Sequence, residues 1–171
     1  MWISPETKTE ALELDELYWF IGKRKGYENG VNIYIMTMLS REPRQLVAYA
    51  VDNSVNAKSI QQMVDNTVQA KRYYTDGGVG YLGVDFIGRH NRNMTDKSDT
   101  HNIEGSNADL RHYIAGLRRR SRCFFRSMET LLAVLYVFVH AYNRFGDAKM
   151  RYMQTHPGCR RVYHQDHLRY V

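Results

Sequence analysis

Three strand-forming runs in succession, joined by short polar turns and followed by an amphipathic helix, restrict this chain's fold more than any other feature. Residues 11–21, ALELDELYWFI, are dense in Leu, Tyr, Trp, Phe and Ile, and the KRKGYENG behind them has turn chemistry ending in Asn29-Gly30. Val31 to Met38 reads as a second strand and, past the polar SREPR turn, Gln45 to Val51 as a third, so the chain opens as an antiparallel meander. From Asn56 to Ala70 the apolar residues Ile60, Met63, Val64 and Val68 recur at helical steps, with Asn53, Ser54 or Asn56 available as cap. RYYTD then forms a short strand ending at Asp76-Gly77-Gly78, and another short strand is expected near Asn93 to Thr95. A long helix starts at Asp99 or Thr100 and runs to about Arg119, with Ile103, Asn107, Leu110, Ile114 and Leu117 on its inner face. A second, Ser127 to Phe145, is apolar around most of its circumference, which fits burial against the sheet or another subunit. The order predicts an α/β fold: a mixed sheet, three antiparallel strands and then a parallel strand or strands, flanked by helices.

Size and composition are those of one globular domain: 171 residues, 43% of them apolar and 25% charged. Residues 1–10 are an N-terminal extension, 11–145 the domain and 146–171 a basic C-terminal tail with little periodicity. Two cysteines, Cys123 and Cys159, make no disulfide framework and fit a reducing, cytoplasmic setting. The opening MWISPETKTEALEL lacks the basic flank and apolar run of a targeting peptide. Leu131 to Val139, the longest apolar stretch, falls short of the roughly 18 residues a spanning helix needs, so no membrane is implied. Net charge is +6, and its distribution is uneven: residues 1–99 hold 12 Lys/Arg against 13 Asp/Glu, residues 100–171 hold 12 against 5. A basic C-terminal half suits a polyanion, because clustered cations displace counterions from phosphate; a solvated basic tail is the bland alternative.

Three acids could serve a metal-dependent phosphoryl chemistry, which needs carboxylates converging from different elements. Asp15 interrupts an apolar strand, where a charge is costly unless it coordinates something; an acid facing water is the other reading. Asp76 closes a strand before two glycines, at the strand end where open sheets bind ligands, though plain Asp-Gly turns look the same. Glu104 lies near a helix start, with Arg111 and Arg118 seven and fourteen positions on, and a surface Glu favoured by the helix dipole would also sit there.

Together, DELYWFIG (15–22), YYTDGG (73–78) and HNIEGSNADLRHYIAGLRRRS (101–121) resemble the catalytic domain of the insertion-sequence-one family of bacterial transposases, a group of the Asp-Asp-Glu type, over roughly residues 11–145. Its most specific part is the run Glu104, Asn107, Leu110, Arg111 followed by Leu117, Arg119 and Ser121. The resemblance implies a ribonuclease-H-like fold, Asp15, Asp76 and Glu104 as catalytic residues and ligands of two Mg2+ (or Mn2+) ions, Asn107 in support, and Arg111, the basic residue seven positions after the Glu, as a DNA-phosphate contact. It also implies DNA transposition, with 3′-end cleavage at element termini and attack of the freed 3′-OH on target DNA. Full-length relatives carry an N-terminal zinc-binding and helix-turn-helix region, and this sequence has no C-x-x-C pair. It therefore resembles the second reading frame of such an element, or a truncated copy, with end recognition encoded upstream.

Arg118, Arg119, Arg120 and Arg122, beside Phe124 and Phe125, are the leading DNA-contact candidates, against a basic helix end that merely complements its own dipole. His101 either reaches the site or lies in the helix's first turn. His156, Cys159, His164 and His167 have spacings that resemble a zinc site but match no known finger, and a basic tail is favoured. Gly77, Gly78, Gly80 and Gly83 do not form a nucleotide loop, since no Gly-Lys-Ser/Thr accompanies them. Besides an active transposase working in the cytoplasm on nucleoid DNA as at least a dimer, the sequence leaves an inactive or inhibitory DNA-binding remnant and a structure-selective nuclease on the same scaffold.

Overall fold

β-Branched and aromatic residues alternating along residues 11–52 give strands that bury both faces. The computed structural model describes residues 1–4, 9–22, 30–95, 98–118 and 123–155, with side chains to Arg144. Its strands are β1 (Trp2–Ile3), β2 (Ala11–Ile21), β3 (Val31–Ser40), β4 (Gln45–Asp52), β5 (Arg72–Thr75) and β6 (Arg89–Arg92), and its helices α1 (Ala57–Asn66), α2 (His101–Tyr113) and α3 (Met128–Thr155). They form one six-stranded sheet in the order β1-β4-β3-β2-β5-β6. β2, β3 and β4 are antiparallel neighbours, and β5 and β6 run parallel to β2, so the sheet is mixed as expected. The expected turn over residues 23–29 lies outside the described residues.

Strand alternation sorts the core into two clusters. Leu12, Leu14, Met36, Met38 and Tyr73 pack under α1 with Ile60, Met63 and Val64. Leu17, Trp19, Ile21, Ile33 and Ile35 face the other way, against Ile103 and Leu110 of α2 and Leu131, Leu135 and Val139 of α3. Each fully buried aliphatic side chain contributes roughly 1.5–3 kcal/mol, so both layers are needed to hold the sheet. Over residues 128–144, α3 buries one side only: Tyr136 and Val137 remain exposed, and a groove of about 570 Å³ runs between α3 and the end of α2, past Tyr113 and Phe138.

Boundaries depart from the sequence reading for local reasons. α1 stops at Asn66 instead of Ala70, because Thr67 takes an extended conformation and turns its hydroxyl back onto the Met63 carbonyl; Asn56 is the cap used, accepting the Ser59 N–H at 2.8 Å. The sixth strand is Arg89–Arg92 and not 93–95. α2 ends at Tyr113 rather than near Arg119: Ile114 is extended, a 3-10 turn covers Ala115–Leu117, and a Cβ at Gly116 would lie 2.5 Å from the Phe125 ring. α3 continues past Phe145 to Thr155, into the segment expected to be irregular. Among the described residues no helix is long and apolar enough to cross a membrane.

The β3–β4 register shifts at Met38/Leu39, and beside this bulge the Asn143 amide of α3 donates to the Leu46 carbonyl (2.8 Å) and accepts the Leu46 N–H (2.9 Å). An orphaned buried peptide group costs about 1–3 kcal/mol. Asn143→Ala is expected to lower unfolding stability by about that much, read as a shift in the urea midpoint with an unchanged slope.

Candidate active site

Asp15 lies mid-way along β2 and faces α2. The adjacent Glu16 faces the opposite side, where its Oε2 accepts from the Tyr81 hydroxyl at 2.8 Å. In the parallel β2–β5 pair Leu14 stands opposite Thr75, so the next residues, Asp15 and Asp76, come level where β5 ends. Asp76 Oδ1 accepts the Gly78 N–H at 2.8 Å. A Cβ at Gly78 would approach that oxygen to 2.9 Å and the Tyr81 ring to 3.3 Å, which only glycine avoids. Arg92 holds the same turn by donating to the Gly77 carbonyl.

Glu104 lies in the first turn of α2, one turn ahead of Asn107. Asn107 is buried and donates through Nδ2 to Asp15 Oδ2 at 2.9 Å, while its Oδ1 lies 3.0 Å from the Thr37 hydroxyl. The same hydroxyl is 3.2 Å from the Asp15 carbonyl, so one proton serves two nearby acceptors. The chain Thr37–Asn107–Asp15 thus orients the carboxylate.

Burial pushes the Asp15 carboxyl above its ordinary value, and the negative charges of Asp76 and Glu104 push it the same way; the Asn107 amide and the Glu16 N–H pull it down. Burial and the Glu16 carboxylate likewise hold the Tyr81 phenol well above its usual range. Three acids from β2, the end of β5 and α2 therefore share one electrostatic neighbourhood. Among the described residues no three His, Cys, Asp or Glu side chains are gathered as a metal-binding group. The donor chemistry still suits hard divalent cations, since all three side chains offer carboxylate oxygens and a cation would relieve the like-charge repulsion felt at Asp15.

The remaining sequence candidates scatter. Arg111 is half-buried on α2, on the same helix as Glu104. Arg118 is not on that helix, contrary to expectation; it is exposed and donates to the His112 carbonyl at 2.8 Å, closing off the helix end. His101 belongs to the first turn, exposed, with Nδ1 2.8 Å from the Ser98 carbonyl. Arg119, Arg120 and Arg122, and His156, Cys159, His164 and His167 in the tail, lie outside the described residues.

Sequence reasoning missed Glu13, which is fully buried and accepts from Arg41 Nε (2.6 Å), Asn102 Nδ2 (2.8 Å) and the Ile103 N–H (2.9 Å). A distant strand carboxylate thus caps α2: Thr100 holds the N-cap position, as the sequence reading allows, but its side chain makes no cap hydrogen bond. Arg41 also donates to the Asp99 carbonyl and lies 3.7 Å over the Tyr74 ring, while Arg44 reaches the Asn102 side chain and carbonyl at 3.2 Å. The available signal was Glu13's place two residues before Asp15, on the same strand face.

Comparison with protein-family models gives no match, and comparison with curated protein sequences gives none either.

Two outcomes follow from this geometry. Glu13→Ala leaves Arg41 and the start of α2 without their buried acceptor and is expected to cost about 3 kcal/mol or more, measured by denaturant unfolding. Asp15 has a raised folded-state pKa, so its contribution to stability is present below the unfolded value and is lost as pH rises through the folded one. Asp15→Asn should then melt higher than the parent at neutral pH without divalent cations, and the gap should close on acidification; equal Tm values across the pH range would contradict this.

Proposed function

We propose that this chain is the catalytic domain of a transposase of the insertion-sequence-one type, which cleaves DNA strands and joins the freed 3′ ends to target DNA. The observation that carries this reading is the shared electrostatic neighbourhood of Asp15, Asp76 and Glu104, whose surrounding motifs resemble those of that family. Sheet order adds support. A central β2, antiparallel to β3 and parallel to β5, with its acid beside the end of β5, is the arrangement expected of a ribonuclease-H-like core.

Asp15, Asp76 and Glu104 would hold two Mg2+ (or Mn2+) ions, which when bound lower the pKa of the attacking water or 3′ hydroxyl and stabilise the leaving oxygen. The protein's own part is positional. Asn107, oriented by Thr37, aims the Asp15 carboxylate, and the Gly78 N–H occupies one Asp76 oxygen while the other stays available to a ligand. Glu13 fixes where α2 begins and therefore where Glu104 stands. Arg111, farther along α2, meets a DNA phosphate, and Arg118, Arg119, Arg120 and Arg122 extend the basic surface. The setting is the cytoplasm, on nucleoid DNA. The working complex is at least a dimer that uses the exposed apolar side of α3, and a zinc and helix-turn-helix region encoded upstream supplies end recognition.

Asp76→Asn and Glu104→Gln should each abolish magnesium-dependent strand transfer while leaving DNA affinity nearly intact, measured with labelled element ends and a plasmid target. Unchanged transfer in either variant overturns the reading. Metal-dependent cleavage without joined products would mark a nuclease on the same scaffold, and salt-sensitive binding with no cleavage at any metal concentration a DNA-binding remnant.

A further inference from the structure

α2 packs on β2 and β3, and α3 on β4, so on this side of the sheet neither helix makes its main contacts with β5 or β6. Two rows of side chains occupy the strip beside them, exposed at its Arg72 and Arg89 end and covered at Tyr74 by the Arg41 guanidinium. Arg72 and Tyr74 lead along β5 to Asp76, and Arg89 and Asn91 lead along β6 to Asn93. Arg72 and Arg89 are direct register partners, and both are exposed.

Like charges placed opposite each other on neighbouring strands are destabilising, so this pairing carries a cost in the free protein. Glu10 offsets little of it. That carboxylate sits near Arg72, but its closest cation is Lys71, at 2.6 Å. Blunting of an exposed sheet edge would account for a cation on the edge strand β6, but not for the one facing it on the interior strand β5. An extended polyanion accounts for both.

Resting on the transposase reading, we infer that Arg72 and Arg89 bind the sugar-phosphate backbone of the DNA where it runs along the sheet away from the acidic site. Asp76 is four positions on from Arg72, about 13 Å at the rise of a strand. That equals about four base steps of one DNA strand. A duplex whose scissile phosphate lies at the acids would bring backbone phosphates over the paired guanidiniums, and the Asn91 amide, two positions beyond Arg89 on β6, adds a neutral donor.

The test is fluorescence-anisotropy titration of a labelled duplex across a salt series, without divalent cations so that no chemistry intervenes. Arg72→Gln/Arg89→Gln is expected to weaken binding and to flatten the plot of log affinity against log salt by about 0.9 for each phosphate left unneutralised. Arg72→Lys/Arg89→Lys, which keeps the charges, should retain the parent slope. Lys58→Gln, on α1 over the other face of the sheet, should behave like the parent. Removing a like-charge pair should leave Tm equal or higher, which separates a binding effect from misfolding. A Gln double variant with the parent's slope and affinity, or an equal drop in affinity for Lys58→Gln, overturns the inference and leaves the transposase reading standing. Failure of the parent itself to bind DNA overturns both.

Discussion

A carboxylate with no solvent contact organises this molecule. Glu13 would be a heavy liability in an apolar layer if left alone, but three donors reach it, one of them a guanidinium. Those donors come from the β3–β4 turn and from the start of α2. One buried charge therefore ties together segments about 30 and 90 residues away in the chain. The helix that carries Glu104 and Asn107 begins where this acceptor allows it to begin. Arg41 reinforces the joint by bonding to the Asp99 carbonyl and covering Tyr74 of β5.

The same joint explains how two layers of different character coexist. Under α1 the sheet presents mainly Leu, Met and Tyr side chains, and the Glu16 carboxylate on that side is bonded to the Tyr81 hydroxyl. Toward α2 the strand β2 changes from acid to hydrophobe along its length: Glu13 and Asp15 precede Leu17, Trp19 and Ile21 on one face. The aliphatic end of that face lies beneath α2 and α3. Its acidic end lies where the parallel strands stop, and there the helix contributes polar side chains in place of aliphatic ones.

Much of this is legible in the residues. Periodicity points correctly to the meander, the first helix and the inner face of α2 at Ile103, Asn107 and Leu110; Ile114 and Leu117 are buried as expected but lie beyond the end of that helix. Helix ends are less legible: α1 stops where the Thr67 hydroxyl turns back onto the Met63 carbonyl, and in the turn after α2 the Phe125 ring packs close against Gly116, an approach that no local signal encodes. Asp99 and Thr100 are the nearest cap candidates in sequence for α2, whereas the acceptor used lies on a strand far upstream. Of the site, Asp15, Asp76 and Glu104 stand out by motif, and the register of two parallel strands brings the first two level. Arg118 has helical spacing from Glu104, but the helix ends before reaching it, so its partner is a backbone carbonyl.

The relay from Thr37 through Asn107 to Asp15 is built from a hydroxyl and an amide, neither of which gains or loses a proton in the ordinary range of acidity. The aim of the carboxylate is thereby decoupled from its charge. Acid, salt or an arriving cation can change how much negative charge resides on Asp15, while the direction in which its oxygens point stays set by neutral groups that none of these agents titrates.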